Sequence, residues 1–121
     1  MKYDLLIVDD EKTIADILCE TFEDEGFTCK AIYSGFEAIE FLKTNIVLLI
    51  LSDIQMPNGS GVDILDYLQF VKNPPKILFM TGYSTYSKDE LKQKGALEIF
   101  NKPVDIDYII ERLKVLISKI K

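Results

Sequence analysis

Apolar residues in this chain come in short blocks, each followed by a segment whose apolar positions recur every three or four residues. Residues 3–8 form an apolar run that stops abruptly at Asp9-Asp10-Glu11, as expected of a buried strand that delivers acidic residues to a sheet edge. From Lys12 the spacing changes: Ile14, Ile17, Leu18, Thr21 and Phe22 recur at helical intervals, and Gly26 follows the last turn as a C-terminal cap. Residues 27–33 are β-rich, Ser34 is placed to cap a helix carrying Ala38, Ile39, Phe41 and Leu42, and residues 46–52 are a nearly uninterrupted aliphatic strand. Met56-Pro57-Asn58-Gly59-Ser60-Gly61 is loop-forming, and Val62, Leu65, Leu68 and Phe70 mark a third helix that ends before Pro74-Pro75. Residues 76–80 supply a fourth strand, 87–94 a weak polar helix closed by Gly95, and 97–100 a short fifth strand. Residues 105–119 are expected to form a long helix with Ile106, Ile109, Ile110, Leu113, Leu116 and Ile117 inward.

This is an alternation of five βα units, which predicts an α/β fold: a parallel sheet wrapped on both faces by helices, because right-handed crossovers permit little else. With 121 residues the chain suits one domain, 1–121, with no output domain expected within it. Fourteen Lys and Arg against twenty Asp and Glu give a formal charge of -6, which repels nucleic-acid phosphates and anionic lipid, so neither is an expected partner. The longest apolar run is far short of a membrane span and the N-terminus lacks a signal-peptide layout, so a cytoplasmic protein is expected. Cys19 and Cys29 show no CxxC spacing and suit a buried, reduced pair. Histidine is absent, which removes Ser-His-Asp and Cys-His chemistry and the commonest zinc ligand. Any chemistry must therefore run on carboxylates, hydroxyls and lysine.

In an open α/β sheet, ligands bind beyond the carboxyl ends of the strands. Those ends carry Asp9-Asp10, Asp53, Thr81 and Lys102 on the first, third, fourth and fifth strands. Each has a local alternative, since acidic residues cap helices, Thr ends strands and a Lys before Pro occupies turns. Jointly they say more: carboxylates converging on one edge repel one another and raise at least one pKa unless a cation offsets them. Magnesium suits such a site, because it takes oxygen ligands and commonly uses one or two carboxylates with a phosphate oxygen. Asp10 and Asp53 could supply the carboxylates, Asp53 could attack phosphorus, and Thr81 and Lys102 could hold phosphoryl oxygens.

This ordered set resembles the receiver domains of two-component response regulators over essentially the whole chain. The matching positions are Asp9-Asp10, Asp53 followed by Met56-Pro57 and Gly61, Thr81-Gly82 and Lys102-Pro103. The resemblance implies a flavodoxin-like doubly wound (βα)5 fold with strand order 2-1-3-4-5. It implies that Asp53 accepts a phosphoryl group from a histidine kinase or phosphotransfer protein. It also implies a Mg2+ site in which Asp10 and Asp53 bind directly, Asp9 helps through water, and the carbonyl of Gln55 completes the set. Gly82 would leave room for the donor, and the Lys102-Pro103 bond would be cis. The domain would not be an enzyme in its own right, though it would assist its own phosphorylation and dephosphorylation, acting alone or in a relay. A phosphorylation-dependent dimer stays open.

Gln55 and Tyr83 fall where receivers vary the lifetime of the phosphorylated form, or are ordinary loop side chains. Glu11 is taken as a solvated charge at the start of the first helix. One departure concerns the position three before the lysine, aromatic in many receivers and here Ile99; Phe100 should point to the opposite face, toward the core. Ile14 and Ile17, with Pro103, either meet the phosphodonor or belong to the core. A phosphatase resembling the haloacid dehalogenase group needs an Asp where Gln55 stands and a cap for which the chain has no room. A flavin or nucleotide binder needs a glycine- or hydroxyl-rich phosphate loop where Asp9-Asp10-Glu11 stands.

Overall fold

The structure, a computed structural model, describes residues 2–82 and 84–121. Ten elements alternate along the chain: β1 Lys2–Val8, α1 Lys12–Asp24, β2 Cys29–Ile32, α2 Gly35–Leu42, β3 Ile46–Asp53, α3 Gly61–Leu68, β4 Lys76–Thr81, α4 Lys88–Lys94, β5 Glu98–Asn101 and α5 Ile106–Ile120. The strands form one parallel sheet in the order β2-β1-β3-β4-β5, as expected.

Side-chain alternation along the strands divides the core in two. Leu5, Ile7, Leu49, Leu51, Leu78 and Met80 face α1 and α5, where Ala15, Leu18, Phe22, Ile109, Ile110 and Leu113 meet them. Leu6, Val8, Ile50, Ile77 and Phe79 face the other way, against Ala38 of α2, Ile64 and Leu65 of α3, and Leu91 of α4. A sheet covered on both faces has little use for polar side chains, which is why Leu5 to Val8 of β1 and Ile46 to Leu51 of β3 are continuous aliphatic runs.

Local signals set the helix ends. Ser34 accepts the Glu37 amide at α2, while Ser60 with Asp63 and Ser87 with Glu90 form reciprocal capping boxes at α3 and α4. Asp105 caps α5 by accepting the Tyr108 amide. Helix α1 closes at Gly26, whose φ of 93° lies in the left-handed region. There the amides of Gly26 and Phe27 donate to the carbonyls of Glu23 and Phe22, and the Phe22 and Phe27 rings pack edge to face at 6.1 Å.

Several expectations need correction. Phe70 is not part of the inward stripe of α3: the helix ends at Leu68, and Phe70 is 88% exposed. The spacing Leu68, Phe70 is a two-residue step, which no single helix face can accommodate. Strand β2 covers only Cys29–Ile32, and Ser87 and Asp105 stand outside their helices as caps. Ile106 faces inward as expected but only half-buried, packed against the margin of the core. Ile17 is 45% exposed and Ile14 half-buried, so α1 turns Ala15, Leu18, Cys19 and Phe22 to the sheet instead. Cys19 and Cys29 are both buried and free.

Replacing Phe22, which is fully buried, with Ala should cost about 3–5 kcal/mol, whereas Phe70→Ala should change stability by no more than about 0.5 kcal/mol. Urea unfolding midpoints of the two variants check both values.

Candidate functional site

The register of the sheet brings the strand ends together. Val8 pairs with Ser52, Asp53 with Met80, and Thr81 with Asn101, so β1, β3, β4 and β5 finish side by side. The strand order reverses between β1 and β3, the place where doubly wound sheets open a crevice. Asp9 and Asp10 follow β1, Asp53 ends β3, Thr81 ends β4, and Lys102 follows β5 with a cis bond to Pro103.

Carboxylate oxygens of Asp9, Asp10 and Asp53 all lie within 4.8 Å of one another. Asp9 is fully buried, Asp53 is buried and Asp10 is exposed, so the cluster has a closed floor and an open mouth. Lys102 reaches into it: its Nζ lies 3.1 Å from Asp53 Oδ2 and 3.8 Å from both Asp9 Oδ2 and Glu11 Oε1. Asp53 Oδ1 accepts the Ile54 amide at 2.8 Å, and Asp9 Oδ1 accepts the Glu11 amide at 2.9 Å.

Burial pushes the Asp9 carboxyl up to about 6, and although the Glu11 amide and Lys102 oppose that, they do not cancel it. Burial likewise raises Asp53, against the pull of Lys102 and the Ile54 amide. Burial alone would lower Lys102, but Asp53, Asp9 and Glu11 together reverse the sign and raise it. Carboxylate crowding was expected to raise a pKa here; it contributes, but loss of water is the larger cause.

Two buried polar atoms are without a hydrogen-bond partner among the described residues, Asp9 Oδ2 and Thr81 Oγ1. Both belong to this cluster of strand ends. A hard dication fits this donor set, which offers carboxylate oxygen, one of them buried and under-bonded, and exposes Asp10 at the mouth. The unpaired Thr81 hydroxyl is left free to bond an oxygen arriving from outside.

Gln55 is exposed in the loop after β3. Gly82 borders the Lys102 stem, and a Cβ there would lie 3.6 Å from Lys102 Cβ. Tyr83 lies outside the described residues. Ile99 is half-buried and packs against the α2, α3 and α4 side of the core, while Phe100 is buried on the opposite side and packs edge to face against Tyr108 at 6.0 Å. The two faces expected of these neighbours are thus occupied as alternation requires. Glu11 is exposed at the start of α1, as expected, and its carboxylate is in addition one of three around Lys102. The signal for it was present in the unbroken Asp9-Asp10-Glu11 run, which places Glu11 beside the other two.

An acidic crevice bridged by one lysine stands at the switch point of a doubly wound sheet, the arrangement expected of a receiver domain. Comparison with known proteins agrees. The family model for the response regulator receiver domain matches residues 5–114. Sporulation initiation phosphotransferase F of Bacillus subtilis is 32% identical over 115 residues, covering 94% of this chain and 93% of that protein. The transcriptional regulatory protein DltR of Streptococcus agalactiae is 30% identical over 112 residues, covering 92% of this chain but half of that protein. The solved receiver domain of Francisella response regulator 1452 superimposes with a TM-score of 0.89 at 28% identity, covering 98% of this chain and 99% of that one. The chain belongs to the response regulator receiver domain family. It spans about half the length of some of the curated relatives it matches. No helix among the described residues is long and apolar enough to cross a membrane.

The raised Asp9 pKa makes a stability prediction. A carboxyl that holds its proton more tightly when folded contributes stability below its ordinary value of 3.8, and that contribution is lost as pH rises through about 6. Metal-free protein should therefore weaken across that interval. Asp9→Asn should stabilise the metal-free protein near pH 7 by about 1–2 kcal/mol, or roughly 4–8 °C in Tm, and should blunt the further stabilisation that Mg2+ gives the wild type. Thermal melts at pH 4.5 and 7.5, with and without Mg2+, measure this; a melting temperature lower than wild type at pH 7.5 would count against it.

Proposed function

We propose that Asp53 is the phosphoacceptor of this receiver domain, with Asp9, Asp10 and the Gln55 carbonyl as its cation-binding partners and Thr81 and Lys102 as its phosphoryl-binding groups. One observation carries this reading: three carboxylates from two neighbouring strand ends share a space with a single lysine amine. When bound there, Mg2+ would neutralise charge on the transferred group and orient it for in-line attack. Asp10 and Asp53 would hold the ion directly and Asp9 would act through a water.

The chain's own residues supply the rest. Asp53 Oδ attacks phosphorus, a P–O bond forms, and the P–N bond to a donor histidine breaks as the imidazole leaves. Lys102, now on Asp53 Oδ2, shifts to a phosphoryl oxygen as charge moves off the carboxylate, and Thr81 turns its unpaired hydroxyl to another. Hydrolysis of the acyl phosphate, assisted by the same groups, returns the domain to its starting state.

The donor is a histidine kinase or a phosphotransfer protein, and the rim of α1 offers it a seat. Ile14, Ile17, Met80, Lys102, Pro103, Val104 and Ile106 line a groove of about 260 Å3 beside the acidic cluster. Exposed Ile17 belongs to this groove and not to the core. The output is a protein contact, with a phosphorylation-dependent dimer as one form of it.

Incubating wild type and Asp53→Asn with Mg2+ and acetyl phosphate should give one base-labile phosphoryl adduct on the wild type alone by intact-mass spectrometry. Equal labelling of both proteins would remove Asp53 from the role. Ile17→Ala should leave labelling by acetyl phosphate and stability unchanged while slowing transfer from a phosphorylated histidine phosphotransfer domain about tenfold, on the scale of losing a buried interface side chain. Transfer at the wild-type rate would dismiss the groove as the donor's seat.

A further inference from the structure

A carbonyl ligand differs from a carboxylate ligand in one respect that matters here. Its position is fixed by the backbone alone, so nothing in the side chain of Gln55 can place it. Magnesium tolerates little departure from octahedral geometry, and the segment bearing Gln55 is an exposed loop. Something must hold that loop.

Two sets of backbone contacts do. At its base, the Gly61 amide donates to the Ile54 carbonyl at 2.8 Å. At its tip, Asn58 and Gly59 adopt left-handed backbone, with φ of 60° and 106°, and so present their carbonyls to α2. There the Gly35 amide donates to the Gly59 carbonyl at 2.9 Å and the Phe36 amide to the Asn58 carbonyl at 3.1 Å. The Glu37 amide goes to Ser34 Oγ. The free donors of the first turn of α2 are thereby largely satisfied, two of them by the loop, at the end of the helix that favours partial negative charge.

This contact is possible only between glycines. A Cβ on Gly35 would stand 2.5 Å from the Gly59 carbonyl carbon, 2.7 Å from the Ser60 carbonyl oxygen, and closer still to the Gly59 oxygen. A Cβ on Gly59 would stand 2.5 Å from the Phe36 nitrogen and 2.7 Å from its ring. Phe36, though 56% exposed, lays that ring against Gly59, which is itself buried.

We infer that Gly35 and Gly59, covered by Phe36, are positioning residues for the cation: the first turn of α2 clasps the tip of the β3–α3 loop and thereby sets where the Gln55 carbonyl stands. This rests on the reading that Gln55 and the aspartates hold Mg2+. Its competitor is a clasp that supports folding and nothing else.

The test titrates Mg2+ into wild type, Gly35→Ala, Phe36→Ala and Gly26→Ala, following backbone amide and carbonyl NMR shifts together with hydrogen exchange of the loop amides. Gly26 is the control: its φ of 93° strains any side chain, but nothing lies within 4 Å of its Cβ position and it ends α1 at the opposite edge of the sheet. Gly35→Ala should bind Mg2+ about tenfold more weakly and Phe36→Ala about threefold, as outer-shell supports of metal ligands do, with faster exchange across 55–60. Gly26→Ala should lose stability and keep wild-type affinity. A folded Gly35→Ala with wild-type affinity overturns the inference, as does equal weakening in Gly26→Ala. If Gly35→Ala does not fold, Phe36→Ala decides, and unchanged affinity there overturns it. A wild type whose Gln55 carbonyl does not respond to Mg2+ sinks the site reading and the inference together, whereas a responding Gln55 with unaffected variants sinks the clasp alone.

Discussion

Burying Asp9 next to Asp53 is the unfavourable contact around which the rest of the domain is arranged. A carboxylate deprived of water loses far more than a surface ion pair returns, and Asp9 is fully buried with one oxygen lacking a hydrogen-bond partner. Locally only the Glu11 amide, donating to Asp9 Oδ1, offsets this, and incompletely. The sheet imposes the arrangement instead: Leu5 to Val8 are held by pairing with β3 on one side and β2 on the other, so the next residue has nowhere to go but the crevice. The aliphatic core drives the strands into register, and the register forces the carboxylates together.

Lys102 makes this tolerable without neutralising it. Its amine faces three carboxylates, yet the Asp9 and Asp53 carboxyls remain above their ordinary range and the Lys102 amine also rises. A pocket in that condition has spare negative charge and a cation that can move to a new partner. Full pairing would leave no affinity for a dication; with no lysine, the carboxylates would have no partner to exchange when the acceptor changes charge. The haloacid dehalogenase and flavin alternatives lack this balance. The first needs an acidic residue at Gln55, and the second needs a phosphate loop where the Asp9-Asp10-Glu11 run stands.

Much of this was legible in the sequence because strands covered on both faces leave a simple trace. Unbroken aliphatic runs ending in Asp9, Asp53 and Thr81 mark both the element and the edge it points to. Helix caps at Ser34 and Gly26 were equally plain, since their side chain, or its absence, is the signal. Phe70 misled because hydrophobicity was counted without its phase: two residues past Leu68 a helical side chain has turned away from the core. Glu11 is solvated at the helix start as read, but its contact with Lys102 was not legible, because only the fold brings Lys102 from the end of β5 to meet it. The loop clasp was not legible at all. It is made by main-chain atoms from segments twenty-odd residues apart in sequence, and a glycine that permits close approach looks the same as one that merely turns.

Ile99 shows how far the signal can travel. A β-branched side chain on a strand is stiff about χ1, and Ile99 is packed between the sheet and its α3–α4 cover with no polar end to seek solvent. An apolar side chain held this way has no polar tip to carry between core and solvent, and a ligand shifts an equilibrium only if two states exist to be distinguished. Tyr86, half-buried in the β4–α4 connection, is a side chain of the other kind. Its ring is large and has a polar tip. It lines the cavity of about 380 Å3 that also contains Gln55, Met56 and Asp66, while its ring packs against the core. Tyr86 and the β3–α3 loop border one space. The loop that follows Asp53 and the connection that follows Thr81 therefore border one cavity, at the end of the sheet where the carboxylates meet.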